Sequence, residues 1–314
     1  MRITANTFLN SLSSQLSVLT QRQNRLQSQA ATGQRIQTAD DDPAAMQRVL
    51  NLQAESGRVG QLQSNISHQQ DLATASYSSI ISLKKLSDRA SEIATSVDGL
   101  KSPKDLAVYA SEIDQILQQA VSVANTKNQG DYLFAGTKTN AAPFAVSTDA
   151  NGKITSVAYN GNQDLAAAEV VEGATVSSQV PGGNPTGSGP RGLFSDSASG
   201  SDFFAHLISL RDHLSAGTPD AVTAIETGDR PGLAKDEDNI IFQLSQNGAV
   251  QSRLETAAAS AKDRLSGLNI QTSKQTNADL ADTLVRLNQT QNAYQAALQS
   301  AGTIMHISLL DYLR

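Results

Sequence analysis

The stretch Leu9-Asn10-Ser11-Leu12-Ser13-Ser14-Gln15-Leu16-Ser17-Val18-Leu19 decides the fold class, because its leucines step along the chain by three and four. The step continues through Gln23, Leu26 and Ala30, so one apolar stripe with a single polar interruption runs down a helix. The same spacing returns at the far end of the chain through Leu280, Leu284, Leu287, Gln291, Tyr294, Leu298, Ala301 and Met305. Both ends are therefore expected to be coiled-coil helices. Ordinary exposed helices are rich in Lys and Glu, yet residues 1–42 and 276–314 contain neither. Their outer faces are Gln, Asn, Ser, Thr and Ala, neutral enough to meet further helices without stranding a charge. A narrow stripe offsets little of the entropy of ordering a helix, so these ends are expected to fold on assembly.

Moving inward from the first helix, Asp42 can cap a second one and Pro43 suits its first position. From Val59 to Val97 the three-four step persists for about 39 residues, or ~58 Å of helix. Gly99 and Pro103 break it, and Leu106, Tyr109, Ile113, Ile116, Ala120 and Val123 resume it as an antiparallel partner. Between 138 and 200 the texture changes to short β-like runs, Lys153 to Tyr159 and Glu169 to Val180. Turn signals at Asn151-Gly152, Asn160-Gly161 and Pro181-Gly182-Gly183-Asn184-Pro185 separate them. Helical spacing returns at Phe203, Leu207, Leu210 and Leu214, and again from Leu233 to Leu265. The expected fold is mainly α: a long antiparallel helical bundle with coiled-coil N- and C-terminal helices and a small β-rich insertion domain. Three divisions follow: 1–42 with 274–314 as a terminal assembly domain, 43–137 with 201–273 as the long-helix bundle, and 138–200 as an outer insertion. The insertion is expected to be locally paired and removable.

Composition excludes several function classes. Twenty-four Lys and Arg against 30 Asp and Glu leave a net charge of −6, the wrong sign for nucleic acid or an anionic membrane surface. No run of 18 apolar residues is present to cross a bilayer, and no cleaved secretory leader is expected from the N-terminal residues. With no cysteine, thiolate metal sites and cysteine nucleophiles drop out, and aromatics at 4% are few for an aromatic-lined ligand pocket.

The polar clusters read as structure rather than chemistry. Counted from Asp40, a calcium loop would need Gly at its sixth position and Glu at its twelfth, where Ala45 and Asn51 stand. Asp40, Asp41 and Asp42 thus read as a helix cap. His206 and His213, seven apart on one helix, lie about 10 Å apart along its axis and are too far to share a metal. The glycine-rich run 182–192 lacks the Lys-Ser/Thr ending of a phosphate loop. No metalloprotease or nucleophile-elbow motif occurs. The glycosylation sequons at Asn65 and Asn288 fall within heptad helices. Neither catalytic, cofactor-binding nor metal residues are expected.

Four stretches together resemble the flagellin superfamily, and within it the proteins of the hook-filament junction more than the filament flagellins. They are Arg2-Ile3-Thr4; Gly33-Gln34-Arg35-Ile36 with Asp41-Asp42-Pro43-Ala44; Tyr132-Leu133-Phe134-Ala135-Gly136-Thr137 with Pro143-Phe144; and Ser308-Leu309-Leu310-Asp311-Tyr312-Leu313. Filament flagellins usually differ at the Asp42-Pro43 pair and rarely carry the Tyr-Leu-Phe-Ala-Gly run. The resemblance covers roughly residues 1–144 and the last 40, weakens over 201–273 and is absent from the insertion. It implies a non-enzymatic structural protein exported unfolded through the flagellar secretion channel, without a cleaved signal, to an extracellular position. The implied neighbours are hook-associated protein 1, flagellin, copies of the same chain in a ring and a cytoplasmic export chaperone. The expected assembly interface is Leu9, Leu12, Leu16, Leu19, Leu26, Leu280, Leu284, Leu287, Tyr294, Leu298 and Met305. A filament flagellin, a soluble coiled-coil signalling module and an enzyme within the insertion stand as alternatives. Whether the terminal helices pair within one chain or between chains is left open by the spacing.

Overall fold

The computed structural model describes residues 3–97 and 101–312, with side chains for 10–97 and 101–303. Helix α1 (Ile3–Thr32) ends where Gly33 turns to φ +71°. Helix α2 (Pro43–Ser96) is 54 residues long, about 80 Å at the standard rise. Asp42 Oδ1 accepts the Ala45 N–H at 3.0 Å and so caps it. The start expected near 43 and the stripe expected to Val97 belong to this single helix. Gly99, taken as its breaker, lies outside the described residues. Helix α3 (Pro103–Ala124) begins at Ser102, whose Oγ accepts the Asp105 N–H and donates to Asp105 Oδ2 at 2.7 Å. It runs back along α2, and Arg89 of α2 pairs with Glu112 of α3 at 2.6 Å.

Nine short strands follow. They are β1 (Lys127–Asn128), β2 (Asp131–Tyr132), β3 (Phe144–Thr148), β4 (Ile154–Tyr159), β5 (Ala168–Val171), β6 (Ala174–Val176), β7 (Gly183–Asn184), β8 (Ser195–Asp196) and β9 (Ser201–Asp202). The pairs β1–β2, β3–β4 and β5–β6 are antiparallel, and β8 joins β7 in parallel and β9 antiparallel. Gly152 and Gly173 take positive φ in the turns of β3–β4 and β5–β6, conformations that favour glycine. The expected run Lys153 to Tyr159 is β4. The run Glu169 to Val180 is folded by Gly173 into a hairpin rather than one strand.

Helix α4 (Phe203–Ala216) is capped by Asp202 and ended by Gly217 at φ +61°. Helix α5 (Pro219–Ala224) opens into a π-turn, Ile225–Asp229, which leads into α6 (Arg230–Thr276). Pro231 has no N–H to give the Thr227 carbonyl, which is where regular helix would otherwise continue. Helix α7 (Leu280–Tyr312) is the last described element.

The chain forms two compact units, Gly60–Lys262 and Met1–Val59 with Asp263–Arg314. The core of the first joins Ile80, Leu83 and Ile93 of α2, Ile113 and Leu117 of α3, and Leu207 and Leu210 of α4. At its centre stand Phe134, Phe144, Phe194, Phe203 and Phe204, in a chain of ring contacts with centroids 5.0 to 6.3 Å apart. Phe144, Ile154, Val180, Leu193 and Phe194 come from the strand-rich segment. That segment, expected to be a removable insertion, thus fills the same core as the helices. Gly182 permits this closeness, since a Cβ there would lie 2.7 Å from the Phe144 ring. Arg211 is buried in this unit. It donates to the Ile154 carbonyl at 2.6 Å and pairs with Asp114 at 3.2 Å and Asp212 at 2.7 Å.

Candidate assembly interface

In the terminal unit α1 and α7 pack along each other. The ends that meet fix their direction. The Arg35 N–H donates to the Thr276 carbonyl at 2.6 Å and the Ala278 N–H to the Gly33 carbonyl at 2.9 Å, around a bridge between Gln34 and Asn277. The C-terminal end of α1 thus lies beside the start of α7, and the helices are antiparallel. The terminal helices pair within one chain here.

The aspartates between α1 and α2 do what short acidic residues do beside free backbone donors. Asp41 Oδ2 accepts the N–H groups of Gln37 and Thr38 at 3.0 and 3.1 Å. Those two bonds hold its carboxyl below the ordinary carboxylate range, and the Ala45 N–H does the same for Asp42. Arg25 pairs with Asp41 and Arg35 with Asp42, each at 3.3 Å. Arg35 also donates to the Gln275 carbonyl at 3.0 Å. Farther along, Arg264 pairs with Glu55. No group of three or more possible metal ligands occurs among the described residues.

On α1 the inward positions are Leu12, Leu16, Leu19, Gln23, Leu26 and Ala30, all half-buried except the buried Leu26. On α7 they are Thr283, Leu287, Thr290, Tyr294, Ala297 and Ala301. Leu287 and Tyr294 thus belong to the seam inside the chain. Leu280, Leu284 and Leu298 point away and are 49%, 49% and 45% exposed, with Val285 at 54%. Thr283, Thr290 and Ala297 are small enough for α1 to approach closely, and the larger leucines are left on the flank. Thr283 and Thr290 satisfy their hydroxyls on the carbonyls of Asp279 and Arg286, both at 2.7 Å. These inward threonines escaped a reading built on apolar spacing; their own seven-residue interval to Ala297 was the signal available. The helices that hold Leu9 and Met305 are described, but those two side chains lie outside the described residues.

The outer face carries no unbalanced side-chain charge near Leu284, since Arg286 and Asp282 pair along α7 at 2.8 Å. What the arrangement offers is an antiparallel helix pair with one closed apolar seam and one open leucine flank. No helix among the described residues is long and apolar enough to cross a membrane.

Residues 3–139 match the family described as the bacterial flagellin N-terminal helical region. The flagellar hook-associated protein 3 of Salmonella typhimurium strain LT2 is 25% identical over 305 residues, covering 92% of each chain. The protein of that name in Escherichia coli strain K12 is 26% identical over 301 residues, covering 90% of each. A solved flagellar hook-associated protein of Vibrio parahaemolyticus has the same fold, with a TM-score of 0.65 at 18% identity, covering 76% of this chain and 100% of that one.

Proposed function

We infer that this chain is a structural component of the bacterial flagellum, a flagellin-superfamily protein of the hook-associated protein 3 kind, which joins the hook to the filament. One observation carries the reading: both curated relatives align over nine-tenths of the chain or more. Alignments of that length run through the strand-rich segment, which the terminal motifs alone did not reach. Filament flagellins share the N-terminal helical region, so the match to it does not by itself distinguish the two roles. The full-length relatives favour the junction.

The role is mechanical rather than catalytic. A subunit between two tubular lattices has to bind above, below and sideways. The open flank of α7, Leu280, Leu284 and Leu298, is the surface that remains for such contacts after the intramolecular seam has closed. Hook-associated protein 1 on one side, flagellin on the other and copies of this chain around a ring are the partners this reading assigns. A cytoplasmic chaperone would cover the same flank before export to the cell exterior. Covering the leucines removes apolar surface from water at roughly 25 cal/mol per Å², and the neutral Gln, Ser and Ala around them add no charge to desolvate.

The test is electron microscopy of purified flagella labelled with an antibody raised against residues 138–200. A single band at the hook-filament boundary supports the junction role. Label along the whole filament would make the chain a flagellin, and absence of label from flagella would remove it from the organelle.

A further inference from the structure

Helices α4 and α6 face each other through a polar repeat that the assembly role does not use. His206, Ser209 and His213 lie three and four residues apart on α4, and Asp229, Gly232 and Asp236 repeat that spacing across the π-turn and α6. The helices oppose each other, so the first histidine meets the last aspartate. His206 Nδ1 lies 2.7 Å from Asp236 Oδ2, and His213 Nδ1 lies 2.7 Å from Asp229 Oδ2. Each aspartate takes a serine hydroxyl on its other oxygen, Ser201 on Asp236 at 2.8 Å and Ser209 on Asp229 at 2.7 Å. The Asp side chains are 1% and 4% exposed, and the imidazoles 24% and 35%. Two carboxyl groups are thus shut away from water, each hydrogen-bonded to one imidazole, while the imidazoles keep contact with solvent. Gly232 makes the closeness possible, because a Cβ there would lie 2.7 Å from the His206 ring.

The two neighbouring arginines are occupied elsewhere. Arg211 is held by Asp114 and Asp212. Arg230 donates to the carbonyls of Ala94 at 2.9 Å and Val97 at 2.6 Å, with Glu226 at 3.9 Å. Lys235 runs beside Gly200. The charges acting most strongly on His206 are carboxylates: Asp236 from α6, Asp202 at the cap of its own helix and Asp229 from the π-turn.

We propose that the His206–Asp236 pair is a pH-sensitive clamp that fastens α4 to α6, closed when the imidazole is protonated and loosened as pH rises, with the His213–Asp229 hydrogen bond beside it as a second tie between the two segments. The Asp236 hydrogen bond pushes the His206 imidazole up from 6.5, against the opposing effect of burial. Burial pushes the Asp236 carboxyl up as well, against the pull of the imidazole. A folded-state pKa raised above the unfolded value gives stability that is full below the unfolded value and lost as pH climbs through the folded one. The His206 shift sets the sign of the clamp, whereas the Asp236 shift records the cost of burying its carboxylate. The histidine contribution is complete below about 6.5 and disappears on the alkaline side. What loosens is the helix that presents Phe203 and Phe204 to the aromatic core.

Amide hydrogen exchange on the full-length monomer, corrected for intrinsic rates, tests the clamp at pH 6 and pH 9. The expected result is a fall of about tenfold in the protection of residues 203–216, with little change at residues 105–120 of α3. A chain carrying His206→Gln should lose that difference between the two pH values. Unchanged protection of α4 in the natural chain, or an equal fall in the variant, overturns the proposal. NMR titration of the natural chain needs no variant: a His206 midpoint above 6.5 supports the clamp, and one at or below 6.5 overturns it.

Discussion

The two units use opposite means of holding helices together. In Gly60–Lys262, five phenylalanines form one cluster, and the buried charged residues Arg211, Asp229 and Asp236 each have partners. In the terminal unit a row of leucines on α1 lies against threonine, alanine, one leucine and one tyrosine on α7, and most of that seam is only half-buried. The first arrangement gives a core that closes on itself. The second stops partway, leaving Leu280, Leu284, Val285 and Leu298 of α7 on the outside. Stability is therefore expected to be uneven along the chain, greatest around the phenylalanine cluster and least along the helix pair.

The comparison breaks most readily at the phenylalanines. Phe194 is fully buried and touches the rings of Phe134, Phe144 and Phe204. Phe194→Ala should cost about 3–5 kcal/mol in urea unfolding of the full chain. A loss below about 1 kcal/mol would mean that the strand segment is dispensable for the core after all. Removing residues 141–200 takes away Phe144 and Phe194 together, and circular dichroism of that product should show no cooperative melting of the helices.

A smaller loss is expected at Arg211. In Arg211→Met the Ile154 carbonyl loses the guanidinium donor, and Asp114 and Asp212 lose their cation, with Asp114 keeping its bond from Gln118. Asp212 is more than half exposed and Asp114 is partly so, so water takes over much of what the guanidinium did. The cost should be about 1–3 kcal/mol, read from the same unfolding curves. A neutral or stabilising result would mean that methionine packing outweighs the hydrogen bonds.

In the terminal unit Leu26 is the best-covered leucine of the α1 stripe, at 7% exposure. Leu26→Ala should cost about 2 kcal/mol, felt locally. Limited proteolysis is the sensitive measure. The natural chain should be trimmed first at its ends, towards a fragment near 45–270, and the variant should be trimmed faster with an unchanged product. Cleavage starting between 100 and 200 would reverse the ranking of the two units.

How far the sequence could be read follows from the same contrast. The α1 stripe was legible because one partner and one period determine it, and each expected position with a described side chain faces inward. On α7 two adjacent stripes share Leu287, Tyr294 and Ala301, and hydrophobicity chooses the leucines at 284 and 298 over the threonines and alanine that pack inward. Which stripe meets α1 depends on side-chain size across the gap, a tertiary property. The aromatic cluster was hidden because its members lie up to 70 positions apart, on a turn, the five-residue strand β3, a bend before β8 and a helix start. The histidines were weighed against each other as metal ligands, whereas the informative match was their seven-residue spacing against that of Asp229 and Asp236.

The smallest expected effect on the isolated chain belongs to the residue expected to matter most for assembly. Leu298 is 45% exposed on α7, one position beyond the inward Ala297. In the monomer, Leu298→Asp sets a carboxylate in water and should change unfolding free energy by no more than about 0.5 kcal/mol. Once a neighbouring helix covers that flank, the same carboxylate has no positive partner nearby among the described side chains of α7, since Arg286 is paired with Asp282 more than two turns away. Burying an unpaired charge costs several kcal/mol, repeated in every subunit of a ring. Cells carrying the variant should retain hooks and release flagellin into the medium, while the purified variant melts like the natural chain. Normal filaments in such cells would show that the leucine flank stays in water in the assembled flagellum. A lowered melting temperature would show instead that Leu298 helps hold the monomer together. The two measurements separate those meanings because the position is exposed in one state and proposed to be covered in the other.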